Sequence, residues 1–495
     1  MTDVIVVGAG PAGMMLAGEL ALAGVDVSVV ERRTTSELVG SRAGGFHSRT
    51  IEILDQRGIA DRFLAAGQTA QTARFGTSVL DIGDVPTRHP YGLALWQNQI
   101  EPILRAWIEE LGVRIEHGRE VTGFVQDDDG VDVEFADGET RRASYLVGAD
   151  GGRSVIRKAA GIDFPGWEAT RSNLIAEVEV TGEPPPGMRQ DESGTHGLLP
   201  MPGGPTYRVV TTERQLVTAA EPTLADLSNA LTAVYGTDFG VHDPTWISRF
   251  TDATRQAARY RNGRVLLVGD AAHIHYPAGG QGIGLGIQDA VNLGWKLAQV
   301  VQGASPEALL DTYTAERHPA DARALQLSMA QTVLQRADPR TGALNEIIDD
   351  LLMTDAARTQ LAARIHGLDV AYDLGAGHPL LGRRMPDLDL DFVTADGPTR
   401  VYELLHDARP LLLDLAGSRK FEVSPGADRV RMVGARFEGA LKLPVLGEVA
   451  RPTAVLVRPD GHVAWVEDGS EESLADALTR WFGDASSPTA DPGQS

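Results

Sequence analysis

The chain has 495 residues, 42% apolar and 23% charged, an ordinary globular composition long enough for two or three domains. Its 68 acidic against 45 basic side chains leave a net charge of −23, which repels phosphate backbones and anionic lipid and argues against nucleic acid or a membrane surface as partner. With no cysteine, disulfides, thiolate metal sites, iron–sulfur clusters and redox-active dithiols are excluded, so any redox chemistry needs a bound organic cofactor.

No run of eighteen apolar residues is present, so no membrane-spanning helix is predicted. The first strand begins at Val4, which leaves no room for a leader peptide, and a cytoplasmic protein is expected. That strand, Val4 to Gly8, is followed by a helical stretch from about Ala12 to Ala23, then Gly24 and a second β-branched run, Val25 to Val30, ending at Glu31. This is a β-α-β unit and implies a parallel sheet.

Its turn reads Gly8-Ala9-Gly10-Pro11-Ala12-Gly13, matching G-x-G-x-x-G between strand and helix, with an acidic residue ending the next strand. Gly8 allows the tight turn, Gly10 lets a pyrophosphate approach the backbone, and Gly13 lets helix and strand pack closely. The helix N-terminus supplies N–H donors to phosphate. Glu31 can accept from both ribose hydroxyls of an adenosine, and its charge repels a 2′-phosphate. The resident nucleotide is therefore NAD or FAD.

A third strand, Tyr145 to Gly148, opens Gly148-Ala-Asp-Gly-Gly-Arg-Ser-Val-Ile-Arg157. Residues 172 to 260 are richer in Thr, Val and Pro/Gly turns and read as antiparallel sheet with hairpins, a layer that could cover a substrate. A fourth strand, Val265 to Gly269, ends at Asp270, where parallel sheets bind ligands. The loop Pro277-Ala-Gly-Gly-Gln-Gly-Ile283 opens a helix from Gln281 to about Gln302, whose first amides can face the N1–C2=O edge of a flavin. Helical patterns continue to about Leu368. Residues 376 to 485 form a further unit with short strands at Leu411–Leu415, Val430–Val433 and Ala454–Val457 and a helix at Ser470–Phe482. The Ser/Pro/Asp/Gly-rich tail is expected to be disordered.

These three motifs together resemble the class A flavoprotein monooxygenases, of the para-hydroxybenzoate hydroxylase type, over roughly residues 2 to 385. Ser41-Arg42, Arg49-Thr-Ile-Glu52, Asp55-Gln-Arg-Gly58, Gln97 with Glu101, and Tyr313 with Glu316-Arg-His-Pro319 add to the resemblance. Phe46, Gln288-Asp-Ala290, Asn292-Leu-Gly-Trp-Lys-Leu297 and Gly377-His-Pro-Leu-Leu-Gly382 resemble more closely the aromatic polyketide (angucyclinone-type) hydroxylases and rifampicin monooxygenases.

The resemblance implies an α/β fold: a discontinuous Rossmann-like FAD domain (1–71, 97–171 and 261–375), an inserted antiparallel-sheet substrate domain (72–96 and 172–260), and a C-terminal thioredoxin-like domain (376–484) without cysteines. The tail is 485–495. It implies FAD as cofactor, with NADPH or NADH and O₂ as co-substrates, and hydroxylation of a polycyclic aromatic molecule through a C4a-hydroperoxyflavin. For the cofactor it implies Gly8, Gly10, Ala12, Gly13, Glu31 and Arg32 on the ADP half and Val121 at the adenine. Arg42 and Gln97 would reach the phosphate and ribityl region. Asp270 would hold the ribityl chain, and Pro277, Gly280, Gln281, Gly282 and Ile283 would line the isoalloxazine. Arg42 is the implied gate of flavin movement. The family usually carries Asn where this chain has Gly284.

Large aromatics need apolar faces, and the candidates for the substrate wall are Phe46, Trp96, Met201, Pro202 and Tyr276. His273 and His275 read as hydrogen-bonding or packing residues, with no metal site. No catalytic base is assigned. A structural or oligomer-contact role without a cofactor is expected for the C-terminal unit, and a homodimer is the candidate assembly. Antibiotic inactivation of rifamycin or tetracycline type, Baeyer–Villiger oxygenation and non-catalytic antibiotic sequestration remain open beside biosynthetic hydroxylation.

Overall fold

The computed structural model describes residues 2–41, 43–201, 204–218, 221–392, 399–416, 429–467 and 469–483. Arg42, Pro202 and the tail 485–495 lie outside the described residues.

The first β-branched run forms the strand Thr2–Val7. It pairs in parallel with Val27–Glu31 on one side and Thr140–Gly148 on the other. Val265–Leu267 and Ile115–His117 extend the parallel sheet at its two flanks. Helices cover these strands, which explains their near-continuous apolar runs. The register matters for function. Val7 stands opposite Val30 and Gly148, and Gly148 opposite Leu267. The strands thus end in line, and Gly8, Glu31, Asp150 and Asp270 emerge along one edge from positions up to 262 residues apart. An antiparallel hairpin, Val121–Gln126 with Val131–Phe135, hangs from Thr140–Gly148.

Two helices pack face to face beside this edge. Pro11–Leu22 meets Gly282–Val301 through small residues: a Cβ on Gly286 would lie 3.0 Å from that of Ala12, and one on Gly294 would lie 2.5 Å from that of Glu19. The flavin-loop helix is therefore tied directly to the phosphate-loop helix.

Residues 172–260 build a five-stranded antiparallel sheet in the order Met188–Asp191, Gly194–Pro200, Thr206–Thr212, Ser172–Val180, Val241–Thr251. This region also holds a helix, Leu224–Tyr235, which the strand-and-hairpin reading did not include. Thr223 and Asp226 cap it reciprocally, and Leu227 and Leu231 pack on Leu174, Val178 and Val209 of one sheet face. The capping box and the leucine spacing were the available signals. The other face turns toward Gly40, Trp96 and Tyr276.

The C-terminal unit is a mixed sheet. Leu411–Asp414 runs parallel to Arg431–Arg436 and antiparallel to Ala454–Val457, which makes a hairpin with Val463–Val466. The helix Leu474–Phe482 follows. Arg458, fully buried in that hairpin, docks the unit by a bidentate pair to Glu316 (2.6 and 2.8 Å), which also accepts from Lys296 (2.8 Å). Asp460 and Asn292 complete the cluster. Such a buried charge set is held together by its mutual pairing: removing one member leaves the others uncompensated. Among the described residues no helix is long and apolar enough to cross a membrane.

Candidate active site

The nucleotide edge has the geometry of a phosphate cradle. Gly8 has φ +108°, and a Cβ there would lie 2.4 Å from the Ala149 carbonyl oxygen. A Cβ on Gly13 would lie 2.0 Å from the Gly8 carbonyl oxygen, so helix and strand touch backbone to backbone. A Cβ on Gly10 meets nothing within 4 Å. Gly10 thus borders open space, the gap a pyrophosphate needs. The helix Pro11–Leu22 has no side-chain cap, so its first amides are available to phosphate. These features fit the ADP half of FAD.

Glu31 is held by its two ends: Oε2 accepts from the Ala9 N–H (2.8 Å) and Oε1 from the Arg33 N–H (2.9 Å). Each oxygen keeps capacity for a ribose hydroxyl. Arg32 is exposed. The neighbour that joins the site is Arg33, which donates to Glu101 (2.9 Å) and to the Ala9 carbonyl (3.3 Å). Gln97 donates to the same Glu101 (2.9 Å), and its backbone N–H donates to Ser41 Oγ (2.9 Å). Arg33 therefore links the adenosine corner to Gln97, a role absent from the motif reading. Val121 is buried at the start of its strand, two residues after Arg119, whose N–H donates to the Glu31 carbonyl (2.9 Å).

Asp270 sits on a one-turn 3₁₀ helix, Gly269–Ala271, with its side chain exposed. It is free to accept from a ribityl hydroxyl. Asp150 instead caps a helix, accepting from the Val155 and Ile156 N–H groups and from Ser154 Oγ.

The Gly-rich loop is fixed from behind. The Tyr276 carbonyl accepts from Ser328 Oγ (2.8 Å) and His275 Nδ1 (2.7 Å), and the Gly279 carbonyl lies 2.6 Å from His47 Nε2. Burial lowers the pKa of His47, so its ring is neutral at pH 7 and donates through Nε2. Gln281 turns its amide away to the Ile365 carbonyl (2.8 Å), leaving its backbone at the loop. Pro277 and Gly280 are exposed and Gly282 and Ile283 half-buried, with no side-chain cap on the helix they open. At Gly284 a Cβ would lie 2.7 Å from Thr50 Oγ1. Thr50 takes the space that a side chain at 284 would need, which accounts for the glycine.

His273 is buried and bonds Asp289 (2.7 Å), which accepts from Arg317 (2.9 Å). Burial opposes its charge, but Asp289 and Asp321 outweigh this and push His273 up to about 9. The ligand atoms of His273, Asp289 and Asp321 lie within 4.8 Å of one another, yet Arg317 bridges both carboxylates and supplies the cation.

The second face of the antiparallel sheet, with Trp246 packed on Gly40, turns toward this edge. Asn173, Ile175 and Glu177, then Arg208, Val210 and Thr212, then Trp246, Ser248 and Phe250 point to it, alternate to the residues that pack on the helix Leu224–Tyr235. Tyr276 meets Phe250 with ring centroids 5.7 Å apart, and Trp96 lies under the Arg208 guanidinium at 4.2 Å. Met201 extends the face at its end, its N–H donating to the Thr206 carbonyl. Phe46 lies elsewhere: it is 3% exposed and packs edge-on against Phe63 in the main core.

Residues 1–328 match the family model "FAD binding domain", and residues 378–485 match "Aromatic-ring hydroxylase, C-terminal". The chain is 44% identical to a rifampicin monooxygenase of Streptomyces venezuelae over 494 residues, 98% of this chain and 99% of that one. A solved aromatic hydroxylase from angucycline biosynthesis is 42% identical, covers 97% of this chain and 99% of its own, and superimposes with a TM-score of 0.88. A dialkyldecalin synthase of Streptomyces rugosporus is 39% identical over 98% of this chain and 100% of that one. With both family models matched along its length and the phosphate cradle, Glu31 and flavin loop in place, the chain belongs to the FAD-dependent aromatic-ring hydroxylases, flavoprotein monooxygenases that use a reduced nicotinamide and O₂.

Proposed function

We propose that this protein inserts one oxygen into a polycyclic aromatic, polyketide-type molecule, in the building or inactivation of an antibiotic. The observation that carries this reading is the contact of Phe250, on the sheet, with Tyr276, beside the flavin loop, which brings the half-buried apolar side chains Val210 and Phe250 to the loop. One relative is named a rifampicin monooxygenase and another an aromatic hydroxylase from angucycline biosynthesis, which supports the same substrate class.

Bound FAD would supply hydride acceptance and oxygen activation. The chain's own residues do the rest. Gly10 and the Pro11–Leu22 amides hold the pyrophosphate, Glu31 the ribose, and Asp270 the ribityl chain. The uncapped amides of Gly282–Val301 would face the ring system and favour negative charge at that edge. His47 and Ser328 keep the loop rigid, and the sheet face excludes water from the reacting ring. An electron-rich phenol needs no strong base from the protein. Residues 1–71, 97–171 and 261–375 serve the cofactor, and 72–96 with 172–260 serve the substrate. The C-terminal sheet, with its parallel pair, antiparallel hairpin and closing helix, supports a thioredoxin-like reading of 376–484 with a structural role.

The test is NADPH oxidation by the yellow holoprotein with and without angucyclinones, tetracyclines and rifamycins. A rate that rises with one class supports the reading. The dialkyldecalin synthase relative favours a second one, ring formation without oxygen transfer. Substrate conversion with no NADPH consumed would establish that reading instead.

A further inference from the structure

The helix Pro339–Leu352 carries apolar side chains on two sides. Its inner side is docked. Thr341 and Asn345 are buried, Asn345 donates to the Leu334 carbonyl (3.0 Å), Asp349 accepts from Ser78 Oγ and Thr77 Oγ1, and Leu352 packs on the cluster around Leu80 and Leu327. Its outer side is bare. Leu344, Ile347 and Leu351 are 42%, 60% and 61% exposed, and Met353 follows at the helix end. Five of the sixteen large apolar side chains exposed among the described residues lie between Val333 and Met353, so the apolar surface is gathered here rather than scattered.

The outer residues form a line. Arg340, Leu344, Ile347 and Leu351 are spaced four, three and four apart, which sets them on one stripe about 16 Å long at the rise of an α-helix. Alternating steps of four and three make the seam by which two helices pack. The charges at its ends say what covers it. Arg340 stands in the first turn and Asp350 in the last, each against its own helix dipole, which favours anions at the N-terminus and cations at the C-terminus. Both are exposed, and neither side chain has an ion-pair partner among the described residues. A second helix laid antiparallel on the stripe turns both liabilities into contacts, if its last turn is acidic and its first turn basic. Another copy of this helix meets that requirement, and a two-fold axis near the middle of the stripe lays like on like. An anionic bilayer does not, because it would face Glu346, Asp350 and a chain of net charge −23.

We propose that this protein associates with a second copy of itself through the outer face of Pro339–Leu352, the two helices antiparallel, rather than through its C-terminal unit. Leu344, Ile347 and Leu351 of the two copies interdigitate, and Arg340 of each copy lies beside Asp350 of the other. One helix pair makes a small interface, below those of permanent dimers, so the dimer is reversible at micromolar concentration.

Sedimentation velocity of the holoprotein, followed at the flavin absorbance, should show monomer converting to dimer as concentration rises through the micromolar range. Ile347→Glu should weaken the dimer about a hundredfold, because each dimer loses the central contact twice. Arg340→Glu and Asp350→Lys should each weaken it about tenfold by setting like charges together, and the double swap Arg340→Glu/Asp350→Lys should restore most of the loss. Because the chain has no cysteine, Ile347→Cys supplies the only thiol, and mild oxidation should link two copies through it. Val125→Cys, equally exposed on the hairpin Val121–Gln126 with Val131–Phe135, should not link. Flavin content and melting temperature show that each variant is folded. The proposal is overturned if the holoprotein stays monomeric at every concentration, if the dimer persists unchanged in Ile347→Glu, or if the double swap is no tighter than the single ones. Flotation of a monomeric holoprotein with phosphatidylcholine vesicles, lost in Ile347→Glu, would assign the stripe to a lipid surface and overturn the dimer.

Discussion

Gly10 and Gly13 lie three residues apart in one motif, yet the structure assigns them opposite liabilities. Gly10 has φ −76° and ψ 177°, extended backbone that alanine adopts, and its missing Cβ faces open space. Gly10→Ala should leave the apoprotein unharmed, or stabilise it by about 0.4–1 kcal/mol through the unfolded chain. The new methyl occupies the cradle, so at least one charge-assisted contact to pyrophosphate is lost. That loss is about 1.5–3 kcal/mol, or about ten- to hundredfold in FAD affinity. Gly13→Ala places a methyl 2.0 Å from the Gly8 carbonyl oxygen, where real Cβ contacts do not fall below 3.0 Å. Strand and helix must part by about 1 Å, an overpacking cost of about 1–3 kcal/mol, and apo- and holoprotein should both melt earlier. Thermal unfolding with and without FAD, together with titration of flavin fluorescence, separates the two effects. Native FAD affinity in Gly10→Ala would refute the assignment of the open space to the pyrophosphate.

Three further outcomes follow from the site. Gly284→Ala should destabilise the wild type by crowding Thr50 Oγ1, whereas in a Thr50→Ala background it should be neutral or stabilising by up to about 1 kcal/mol of helix propensity; equal effects in both backgrounds would remove Thr50 as the cause. Glu31→Gln keeps the shape but not the charge facing the ribose, and FAD affinity should fall about tenfold or more, read by the same titration. For His273, burial opposes charge and Asp289 restores it, giving about 9 in the folded state against 6.5 unfolded. The stability from its charge is complete below pH 6.5 and lost as pH rises through about 9. The gap in chemical-denaturation stability between wild type and His273→Gln should be widest below pH 6.5 and narrow by pH 9; a gap independent of pH would contradict the charged His273–Asp289 pair.

The nucleotide edge was legible because its geometry is local. Gly8, Gly10, Gly13 and Glu31 act within one β-α-β unit, and their spacing is the geometry. The strands ending at Gly148 and Leu267 could be named from composition, and parallel pairing then dictated that their ends meet. The sheet side was not legible. Arg208, Glu177, Trp246 and Phe250 become neighbours only through the pairing of Ser172–Val180 with Thr206–Thr212 and Val241–Thr251, and period-two alternation does not reveal which face turns to the flavin loop. Residue type alone points to Phe46, and the edge-on contact with Phe63 places it in the core. Several residues that carried the family resemblance, among them Asn292, Lys296, Glu316 and Arg317, lie in buried ion clusters rather than at the flavin. Asn292, Lys296 and Glu316 clamp the C-terminal unit through Arg458 and Asp460. A motif marks a constrained position, and here the constraint is the joint.

The most direct measurement is the origin of the oxygen in the product. With the holoprotein, NADPH, a fused-ring phenol that stimulates NADPH oxidation, and ¹⁸O₂, the product should gain a single ¹⁸O atom, with none from labelled water. A product formed without ¹⁸O, or formed equally well without O₂, would contradict the monooxygenase account.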